Sequence, residues 1–318
     1  GAFFMPMSQW NQQARKVLKG VKISNEFFNT QAFEESDFPI KIPLEYAELI
    51  DQTNPNDPLL KQVMPQPKTG QIGFIPAPLN DEDNSPVAGL IHKYRNRVLL
   101  ITSQVCVIHC QYCFRQNFNY TEHDALSNWS EIEQYIRQDS NINEVILSGG
   151  DPLSLSDEKL EKLIQNIENI ENVTALRIHT RSLVAIPSRI TDKLVKILAK
   201  TALKVVLVTH INHANEMSEA FIKNIANFEN VTLLNQSVLL KGVNDNLNSL
   251  KTLSLKLFEA GILPYYLHML DQVSGAENYF VKEQVALILH QQLQAELSGY
   301  LVPRLVRDEA ASSKSWLL

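Results

Sequence analysis

From residue 97 onward, short apolar runs rich in β-branched residues alternate with longer stretches in which apolar residues recur every three or four positions. The short runs predict strands, and the longer stretches predict amphipathic helices. The predicted strands are RVLLIT, EVILSG, ALRIHT, KVVLVTH, VTLLNQSVLL and PYYLHML, and the helices between them include SDEKLEKLIQNIENI, RITDKLVKILAKT and NLNSLKTLSLKLFEAG. A last strand, YLVPRLV, is predicted after a helix around KEQVALILHQQLQAEL. Six strand–helix units in succession predict the α/β class, with a parallel sheet covered by helices.

The first part of the chain has a different pattern. Residues 1–51 are expected to be partly helical, whereas residues 52–88 hold seven of the 14 prolines together with many Asn and Asp residues. Such a composition favours an irregular segment over a helix or strand. We therefore predict an N-terminal helical and irregular extension (1–91) that wraps a core (92–300), followed by a C-terminal strand and tail (301–318).

Two architectures fit six strand–helix units, namely an open doubly wound sheet and a full or partial barrel, because strand order is not written in the sequence. Polar residues lie at the end of every strand in turn: the cysteines, SGGD (148–151), HTR (179–181), THINH (209–213), NQS (235–237) and Asp271. The carboxyl ends of parallel strands form the site in such folds, and contributions from every strand suit a ring around one centre. We predict a partial (βα)6-type TIM-like barrel.

Composition narrows the classes of function. The formal net charge is −6, from 29 basic and 35 acidic residues, which argues against a nucleic-acid or anionic-membrane partner. A small-molecule substrate fits better. No apolar run approaches the roughly 18 residues of a membrane helix, and GAFFMPMSQW lacks the basic residues that begin a signal peptide. We expect a cytoplasmic protein.

The only three cysteines, Cys106, Cys110 and Cys113, lie within eight positions. They cannot form a disulfide framework, and their spacing lets one loop bind three corners of a [4Fe–4S] cluster while the fourth iron stays open for chemistry. The alternative is a structural zinc site completed by His109 or His123. Such sites usually combine two paired half-sites, and a second pair is missing here.

This cysteine spacing, with Tyr112 before the last cysteine, resembles that of the radical S-adenosylmethionine (SAM) superfamily. In that superfamily a Gly-Gly-acid motif after the second strand contacts the methionine part of SAM, and the residues that match it are Ser148, Gly149, Gly150 and Asp151. Further segments make the chain similar to the lysine 2,3-aminomutase family: HKYRNRVLL, CFR, RIHTR, THINHANE, LLNQSVLLKGVNDN, PYYLHMLD and GYLVPRLVRD. The closest resemblance is to the branch that forms (R)-β-lysine for modification of elongation factor P.

The resemblance implies an isomerase with three cofactors: a [4Fe–4S] cluster, SAM and pyridoxal 5′-phosphate (PLP). Lys314 matches the lysine that forms a Schiff base with PLP, Lys93 and Arg97 match the residues that hold its phosphate, and Gln236 would lie against the cofactor. A lysine four residues from the end of the chain would otherwise be a solvated tail residue. The tail must therefore fold inward, with Trp316, Leu317 and Leu318 as apolar anchors.

The substrate roles also come from the resemblance. Arg115 matches the residue that binds the lysine carboxylate, and Asp271 and Asp308 match the pair that holds the ε-ammonium. His210, Asn212 and His213 either line the site or are satisfied polar groups. The expected partners are L-lysine as substrate and a reductant such as flavodoxin or ferredoxin. We also expect a functional link to elongation factor P and its β-lysine ligase, and a homo-oligomer is possible.

The sequence departs from the free-lysine aminomutases of the family, which carry extra zinc-binding cysteines and a longer C-terminal region. Its EAASSK stretch is also one residue shorter between Asp308 and the lysine than theirs. These departures favour the elongation factor P branch. The alternatives are a metabolic free-lysine 2,3-aminomutase, a radical SAM enzyme of another reaction type without PLP, and a non-catalytic zinc or iron–sulfur protein.

Overall fold

The structure is a computed structural model that describes residues 9–79, 81–118, 120, 123–310 and 314–317. The strands are β1 (Val17–Lys19), β2 (Lys41–Pro43), β3 (Leu90–Tyr94), β4 (Arg97–Ser103), β5 (Glu144–Gly149), β6 (Ala175–Thr180), β7 (Lys204–His210), β8 (Val231–Val238), β9 (Leu263–His268), β10 (Arg304–Arg307) and β11 (Ser315–Trp316). The α-helices are α1 (Gln9–Gln13), α2 (Gly20–Phe27), α3 (Leu44–Ala47), α4 (Pro58–Val63), α5 (Trp129–Gln138), α6 (Asp157–Glu168), α7 (Ser182–Ala185), α8 (Asp192–Lys200), α9 (Glu219–Ile225), α10 (Leu247–Glu259) and α11 (Glu283–Glu296). Short 3-10 helices span Asp81–Asn84, Pro152–Ser154, Pro187–Arg189, Ala214–Glu216, Glu277–Tyr279 and Gly299–Leu301.

Strands β4 to β9 are parallel and lie side by side in the order in which they occur along the chain. Strand β10 continues the parallel sheet beside β9, while β3 and β11 pair antiparallel at the two edges. A doubly wound sheet needs a point at which strand order reverses, and this order has none. Residues from every strand between β4 and β9 line one cavity, so the sheet curves around it. The predicted partial barrel is confirmed.

The elements predicted from periodicity between residues 97 and 307 are confirmed. The predicted helices α6, α8 and α10 each follow a side chain that accepts a hydrogen bond from the first turn: Ser156, Thr191 and Asn246. The apolar faces of these helices bury Leu163 of α6 and Leu194 of α8 in the same hydrophobic cluster as Leu147 of β5. This cluster fixes the helices on the outer side of the sheet, opposite the cavity.

The N-terminal extension has its own hydrophobic cluster, which also includes residues of the core. Strand β1 pairs with β2, and their apolar side chains pack with the α3 and α4 region and with Val107 and Ile108 of the cysteine loop. The extension therefore covers the loop that follows β4.

The prediction of an irregular segment at 52–88 is wrong at α4. The Asp57 carboxylate accepts hydrogen bonds from the amides of Leu59 and Leu60 at 2.8 and 2.9 Å, and Pro58 occupies the first helical position. An acidic N-cap followed by proline is a helix-start signal, which the high proline content of the segment obscured. Within the described ranges, no helix is long and apolar enough to span a membrane.

Ile42 should be essential to the packing of the extension on the cysteine loop. It is completely buried in the N-terminal cluster, whereas Ile23 of α2 is 47% exposed. We expect Ile42→Ala to lower the free energy of unfolding by about 3 kcal/mol, because it leaves a cavity, and Ile23→Ala to change it by less than about 0.5 kcal/mol. Urea titration followed by tryptophan fluorescence measures both. Equal losses of unfolding free energy in the two variants would show that Ile42 does not pack in the N-terminal cluster.

Candidate active site

One cavity of about 290 Å³ opens at the carboxyl ends of the parallel strands and extends between them. Every site residue proposed from the sequence lines it: Lys93, Arg97, Cys106, Cys110, Tyr112, Cys113, Arg115, Ser148, Gly149, Gly150, Asp151, Gln236, Asp271, Asp308 and Lys314. These residues come from segments spread over more than two hundred positions of the chain. Their convergence places the candidate chemistry in a single compartment, although it does not by itself assign their roles.

The cysteine loop is held by the N-terminal extension. The Lys41 ammonium donates a hydrogen bond to the Cys106 carbonyl at 2.5 Å, and the His109 amide donates to the Lys41 carbonyl at 2.9 Å. Farther along the loop, the Gln111 amide donates to the carbonyl of Gln62 at 2.9 Å. Backbone contacts on both sides of the loop therefore fix where its thiols point.

The three thiols form an environment that favours a cationic partner. Burial raises the pKa of Cys106 and of Cys110, and it raises the pKa of Cys113 to about 11; the nearby Cys110 thiol adds to the rise at Cys106 and at Cys113. Without a cation these groups would therefore stay protonated at neutral pH. Iron ions supply the positive charge that thiolate ligation requires.

The geometry favours a cluster over a single zinc ion. A single zinc ion held by these cysteines would need a histidine to complete its ligands, whereas in a [4Fe–4S] cluster each cysteine binds a different iron and no histidine is required. His109 is engaged elsewhere, since its Nδ1 lies 2.7 Å from the Pro39 carbonyl and its ring stacks on Phe38. The donor set therefore fits the cluster.

The glycines of the SGGD turn are required by the chain itself. A Cβ on Gly149, whose φ is +112°, would lie 2.8 Å from the Ser103 carbonyl, and one on Gly150 would lie 2.7 Å from the Val105 carbonyl. The amides of Gly150 and Asp151 donate to those two carbonyls at 2.8 and 3.0 Å. The turn after β5 thus packs directly against the start of the cysteine loop.

Both oxygens of the Asp151 carboxylate accept hydrogen bonds from other groups of the protein. One oxygen accepts hydrogen bonds from the Thr180 hydroxyl at 2.8 Å and from the Leu153 amide at 3.0 Å. The other accepts from the amides of Arg181 and Ser182 at 2.7 and 2.9 Å. Asp151 therefore links the carboxyl ends of β5 and β6, and a contact to a bound ligand would share these oxygens.

Asp81 is a cavity residue that sequence analysis missed. Its carboxylate accepts a hydrogen bond from Nε of Arg115 at 2.9 Å and lies 3.7 Å from the ammonium of Lys93. Arg115 also donates to the Ser148 hydroxyl at 3.2 Å. Asp81 belongs to the acidic NDEDN stretch of the extension, where nothing in the sequence distinguishes it from the acidic residues beside it.

The basic pair proposed for phosphate binding is partly desolvated. The Lys93 side chain is 13% exposed, and its ammonium donates to the Leu79 carbonyl at 3.3 Å. The Arg97 guanidinium stacks at 3.5 Å over the ring of Tyr94. Both cations line the cavity. Lys93 lies in β3 and Arg97 begins β4, so both precede the cysteines along the chain.

The C-terminal tail folds inward, as the sequence analysis required. The Lys314 ammonium forms a hydrogen-bonded ion pair with Asp308 and lies 5.6 Å from the ring centroid of Tyr266. The Lys314 amide donates to the Tyr94 hydroxyl at 2.8 Å. Burial would raise the pKa of Asp308, but the hydrogen bond from His268 and the charge of Lys314 lower it well below its ordinary value.

The tail is anchored differently from the prediction. Strand β11 pairs with β10, and the Leu317 amide donates to the Leu305 carbonyl at 2.9 Å. Leu317 packs against the hydrophobic cluster that contains Leu293 and Leu305. Trp316 is 61% exposed, and the Arg304 guanidinium lies 4.7 Å from its ring. Backbone pairing, together with Leu317, positions the lysine. Leu318 lies outside the described residues.

Asp271 has no such cationic partner at hydrogen-bonding distance within the part of the chain that the structure describes. Burial and the nearby Asp308 carboxylate raise its pKa to about 8. Asp271 and Asp308 line the same cavity, so two carboxyl groups of opposite pKa shift face the same space. An incoming cation would favour ionisation of Asp271.

A buried polar network connects Tyr112 to the strand ends. The Tyr112 hydroxyl accepts a hydrogen bond from Asn212 at 2.6 Å and lies 3.1 Å from Nε2 of His210. Gln62, which sequence analysis also missed, accepts from Asn212 at 2.9 Å and is completely buried. His213 caps the following 3-10 helix and does not line the cavity.

Two imidazole nitrogens in the cavity wall are buried without a hydrogen-bond partner among the described residues. They are Nε2 of His179 on β6 and Nε2 of His268 on β9. Burying an unpaired polar nitrogen costs about 1–3 kcal/mol. A cavity that keeps such atoms in its wall is suited to a polar ligand.

Comparison with known proteins identifies the family. Residues 100–246 match the model of the radical SAM superfamily. The chain is 44% identical over 306 residues to the L-lysine 2,3-aminomutase of Haemophilus influenzae, covering 95% of this chain and 90% of that protein. The chain belongs to the lysine 2,3-aminomutase family. At the level of this family, the expected isomerase class and the radical SAM cofactors, a [4Fe–4S] cluster and SAM, are confirmed.

Other lysine 2,3-aminomutases are similar over comparable lengths. The enzyme from Escherichia coli is 44% identical over 276 residues, covering 85% of this chain and 80% of that protein. The enzyme from Clostridium subterminale is 34% identical over 314 residues, covering 95% of this chain and 75% of that protein. Among solved structures, the radical SAM enzyme coproporphyrinogen III oxidase from Escherichia coli aligns with a TM-score of 0.42 at 12% identity, over 64% of this chain and 53% of that one. That likeness is too weak to support an argument.

Gly150→Ala tests the contact between the SGGD turn and the cysteine loop. The added Cβ meets the Val105 backbone, so we expect the free energy of unfolding to fall by about 2 kcal/mol. Gly299→Ala is the matched control, because no atom lies within 4 Å of its added Cβ. Urea titration compares the two variants. Equal free energies of unfolding in the two variants would show that the Val105 backbone leaves room for a Cβ at position 150.

Asp271→Asn tests the raised pKa of Asp271. In the unfolded chain this carboxyl titrates near 3.8 and in the fold near 8, so between these values the unfolded chain binds fewer protons and stability falls as pH rises. We expect Asp271→Asn to stabilise the ligand-free protein at pH 9 and to have little effect at pH 4. Thermal unfolding at both pH values measures this, with exposed Asp83→Asn as control. A stability difference that does not vary with pH would contradict the assignment.

Proposed function

We propose that this protein converts L-lysine to (R)-β-lysine with PLP bound to Lys314, and that the β-lysine serves to modify elongation factor P. The observation that carries the proposal is that the tail lysine and all three cysteines line one cavity. A radical aminomutase must bring both cofactors to the same substrate, since the reacting atoms have to be held close together. Family membership supports the reaction class, a lysine 2,3-aminomutase.

In this proposal, Cys106, Cys110 and Cys113 would hold the cluster. Ser148, Gly149, Gly150 and Asp151 would bind SAM, and Tyr112, which lines the same cavity, would also lie against these cofactors. When bound, the cluster and SAM supply a 5′-deoxyadenosyl radical, and PLP supplies a π system that stabilises the unpaired electron. The protein contributes orientation and the exclusion of water.

Lys314 would be the covalent attachment point of PLP. Its ammonium points into the cavity because Asp308 accepts its hydrogen bond and the Tyr94 hydroxyl holds its backbone. The nitrogen must lose a proton before it can attack a carbonyl. Asp308 keeps Nζ in place until then.

Lys93 and Arg97 would hold the PLP phosphate. Two cations with restricted access to water suit a dianion, and stacking on Tyr94 keeps the planar Arg97 guanidinium in one orientation. Gln236, on β8, would lie against the ring of the cofactor. All three residues face the same cavity as Lys314.

Arg115 would bind the carboxylate of the substrate. Asp81 contacts its Nε and Ser148 contacts its Nη1, and these two hydrogen bonds fix the plane of the guanidinium. Fixed orientation reduces the entropy that binding costs. The Asp81 carboxylate also offsets one of the two positive charges of Arg115 and Lys93, so the three groups together carry one net positive charge.

Asp271 and Asp308 would hold the ε-ammonium of the substrate. Asp271 has a pKa of about 8 without a cation, and an ammonium beside it would favour its ionised form. A substrate without a distal cation would leave this carboxyl protonated, and such a substrate would therefore bind weakly. The pair therefore selects lysine over shorter or neutral amino acids.

The branch within the family is supported by the cysteine content. All three cysteines are committed to the cavity, so none remains for the interface zinc of the free-lysine enzymes. An external one-electron reductant and a partner ligase for the β-lysine are part of the proposal, as is a homo-oligomeric state. The alternative is a metabolic lysine 2,3-aminomutase that releases β-lysine.

The test is an anaerobic assay of the reconstituted protein with L-lysine, SAM, PLP and dithionite, followed by chiral mass spectrometry. We expect (R)-β-lysine, and we expect Cys113→Ala and Lys314→Ala each to lose activity by at least about a thousandfold, because each removes a cofactor anchor. Lys314→Ala should keep the cluster absorbance but lose that of PLP. Lys200→Ala, at the exposed end of α8, is the matched control and should retain activity.

Several results would contradict the proposal. Accumulation of 5′-deoxyadenosine without β-lysine would mean that the radical chemistry is right and lysine is the wrong substrate. The S product, or failure to restore β-lysine on elongation factor P in cells that lack this step, would favour the metabolic alternative. A colourless protein after anaerobic reconstitution would exclude the cluster.

A further inference from the structure

A basic segment of the N-terminal extension lies outside the cavity. Residues 15–22, RKVLKGVK, include Arg15, Lys16, Lys19 and Lys22 and no acidic residue, although the whole chain has a net charge of −6. All four basic side chains are exposed, and none of them lines the cavity. None of the ion pairs among the described residues includes any of the four. Their positive charge therefore faces solvent.

Strand pairing places this basic segment next to the first cysteine. Lys19 of β1 pairs directly with Lys41 of β2. Residues that pair directly in an antiparallel sheet project to the same face, so two positive charges lie side by side there. The Lys41 ammonium donates to the Cys106 carbonyl at 2.5 Å, and the Lys41 carbonyl accepts from the His109 amide at 2.9 Å. Only one strand therefore separates Lys19 from the cysteine loop.

The fold does not account for a lysine at position 19. Like charges directly opposite one another in a sheet destabilise it. Lys41 has a structural role, because it holds the Cys106 carbonyl, whereas Lys19 is exposed and forms no ion pair with a described residue. A concentration of positive charge that the chain does not neutralise attracts an acidic partner and orients it.

The chemistry proposed for the cavity requires an electron from outside. SAM and the substrate would fill the cavity, so an electron donor has to approach the cysteine loop from the side that the extension covers. Val105, directly before Cys106, is 53% exposed and does not line the cavity. Phe38, which is half-buried, stacks on His109 with 4.9 Å between ring centroids. Apolar groups next to charged residues are typical of protein docking surfaces.

We propose that the basic segment and the adjoining face of the cysteine loop form the docking surface for a small acidic protein that carries one electron. The electron moves from the reduced cofactor of the carrier to the oxidised cluster. No bond between the carrier and this chain forms or breaks, and no proton is transferred to this chain. The inference rests on the proposed function, in which the three cysteines hold the cluster, and it adds where the reductant binds and by which charge it is recognised.

The experiment measures how fast a photoreduced acidic flavodoxin reduces the reconstituted cluster, by stopped-flow absorbance in the absence of SAM. Lys19→Glu reverses one charge of the Lys19–Lys41 pair. We expect it to lower the second-order rate constant about tenfold near about 20 mM ionic strength, where charges act over long distances. At about 0.5 M salt the difference from wild type should shrink to less than about twofold, because salt screens exposed charges. Lys19→Arg keeps the charge and should keep the wild-type rate.

Two controls separate docking from other effects of the substitution. Lys200→Glu changes the net charge by the same amount, but the exposed Lys200 ends α8 at the edge of the sheet where β7 begins, away from the cysteine loop. It should leave the rate unchanged. Reduced methyl viologen is a small cation, and Lys19→Glu should not lower the rate at which it reduces the cluster. Iron content and circular dichroism establish in each variant that the cluster and the fold are intact.

An unchanged rate with flavodoxin in Lys19→Glu would overturn the inference. Equal losses in Lys19→Glu and Lys200→Glu would also overturn it, because net charge alone would then explain them. If Lys19→Glu does not assemble a cluster, Lys16→Glu decides, and an unchanged rate in that variant overturns the inference. A wild-type protein that forms β-lysine with dithionite, while the Lys19 variants have no effect, would refute the docking surface alone. A wild-type protein that assembles no cluster would instead refute the proposed function.

Discussion

The unbroken order of six parallel strands is the constraint on which the rest of the molecule depends. Because the strands are parallel, all six end at the same edge of the sheet, and the residues that follow them meet there. Curvature then turns one face of the sheet into the wall of a cavity, while the helices cover the other face. The chain can therefore bring the cysteine loop, the SGGD turn, Asp271 and the C-terminal lysine together from segments that are far apart in sequence.

Charge in this cavity is organised in compensating groups. Arg115 and Lys93 share Asp81, Arg181 faces Glu216, and Lys314 faces Asp308. A buried ion pair rarely stabilises a fold much more than an apolar pair would, because desolvating its charges costs nearly as much as their attraction returns. These pairs are better understood as holding functional groups in defined orientations. Asp271 has no such partner among the residues that the structure describes; its pKa is raised, and it is the group best suited to a cationic ligand.

The N-terminal extension is a structural part of the site. Its hydrophobic cluster includes residues of the cysteine loop, Lys41 donates a hydrogen bond to the Cys106 carbonyl, and Asp81 lines the cavity. Gln62 uses its side chain and its backbone to connect α4, the cysteine loop, Arg181 and Asn212. The segment therefore couples the position of the cysteines to the ends of β6 and β7, which a loop exposed to water would not do.

The sequence by itself determined the parts of this protein that depend on local periodicity and spacing. Alternation of apolar runs predicted the strands and helices, and the spacing of the cysteines predicted a cluster. Resemblance to a family predicted a role for Lys314, which no local pattern distinguishes. Only the tertiary structure decided between a barrel and a doubly wound sheet, because strand order is a long-range property. It also revealed Asp81 and Gln62, whose partners Arg115 and Arg181 lie 34 and 119 positions away along the chain. Helical and strand periods extend over a few residues, whereas hydrogen bonds between such distant residues exist only after the chain has folded.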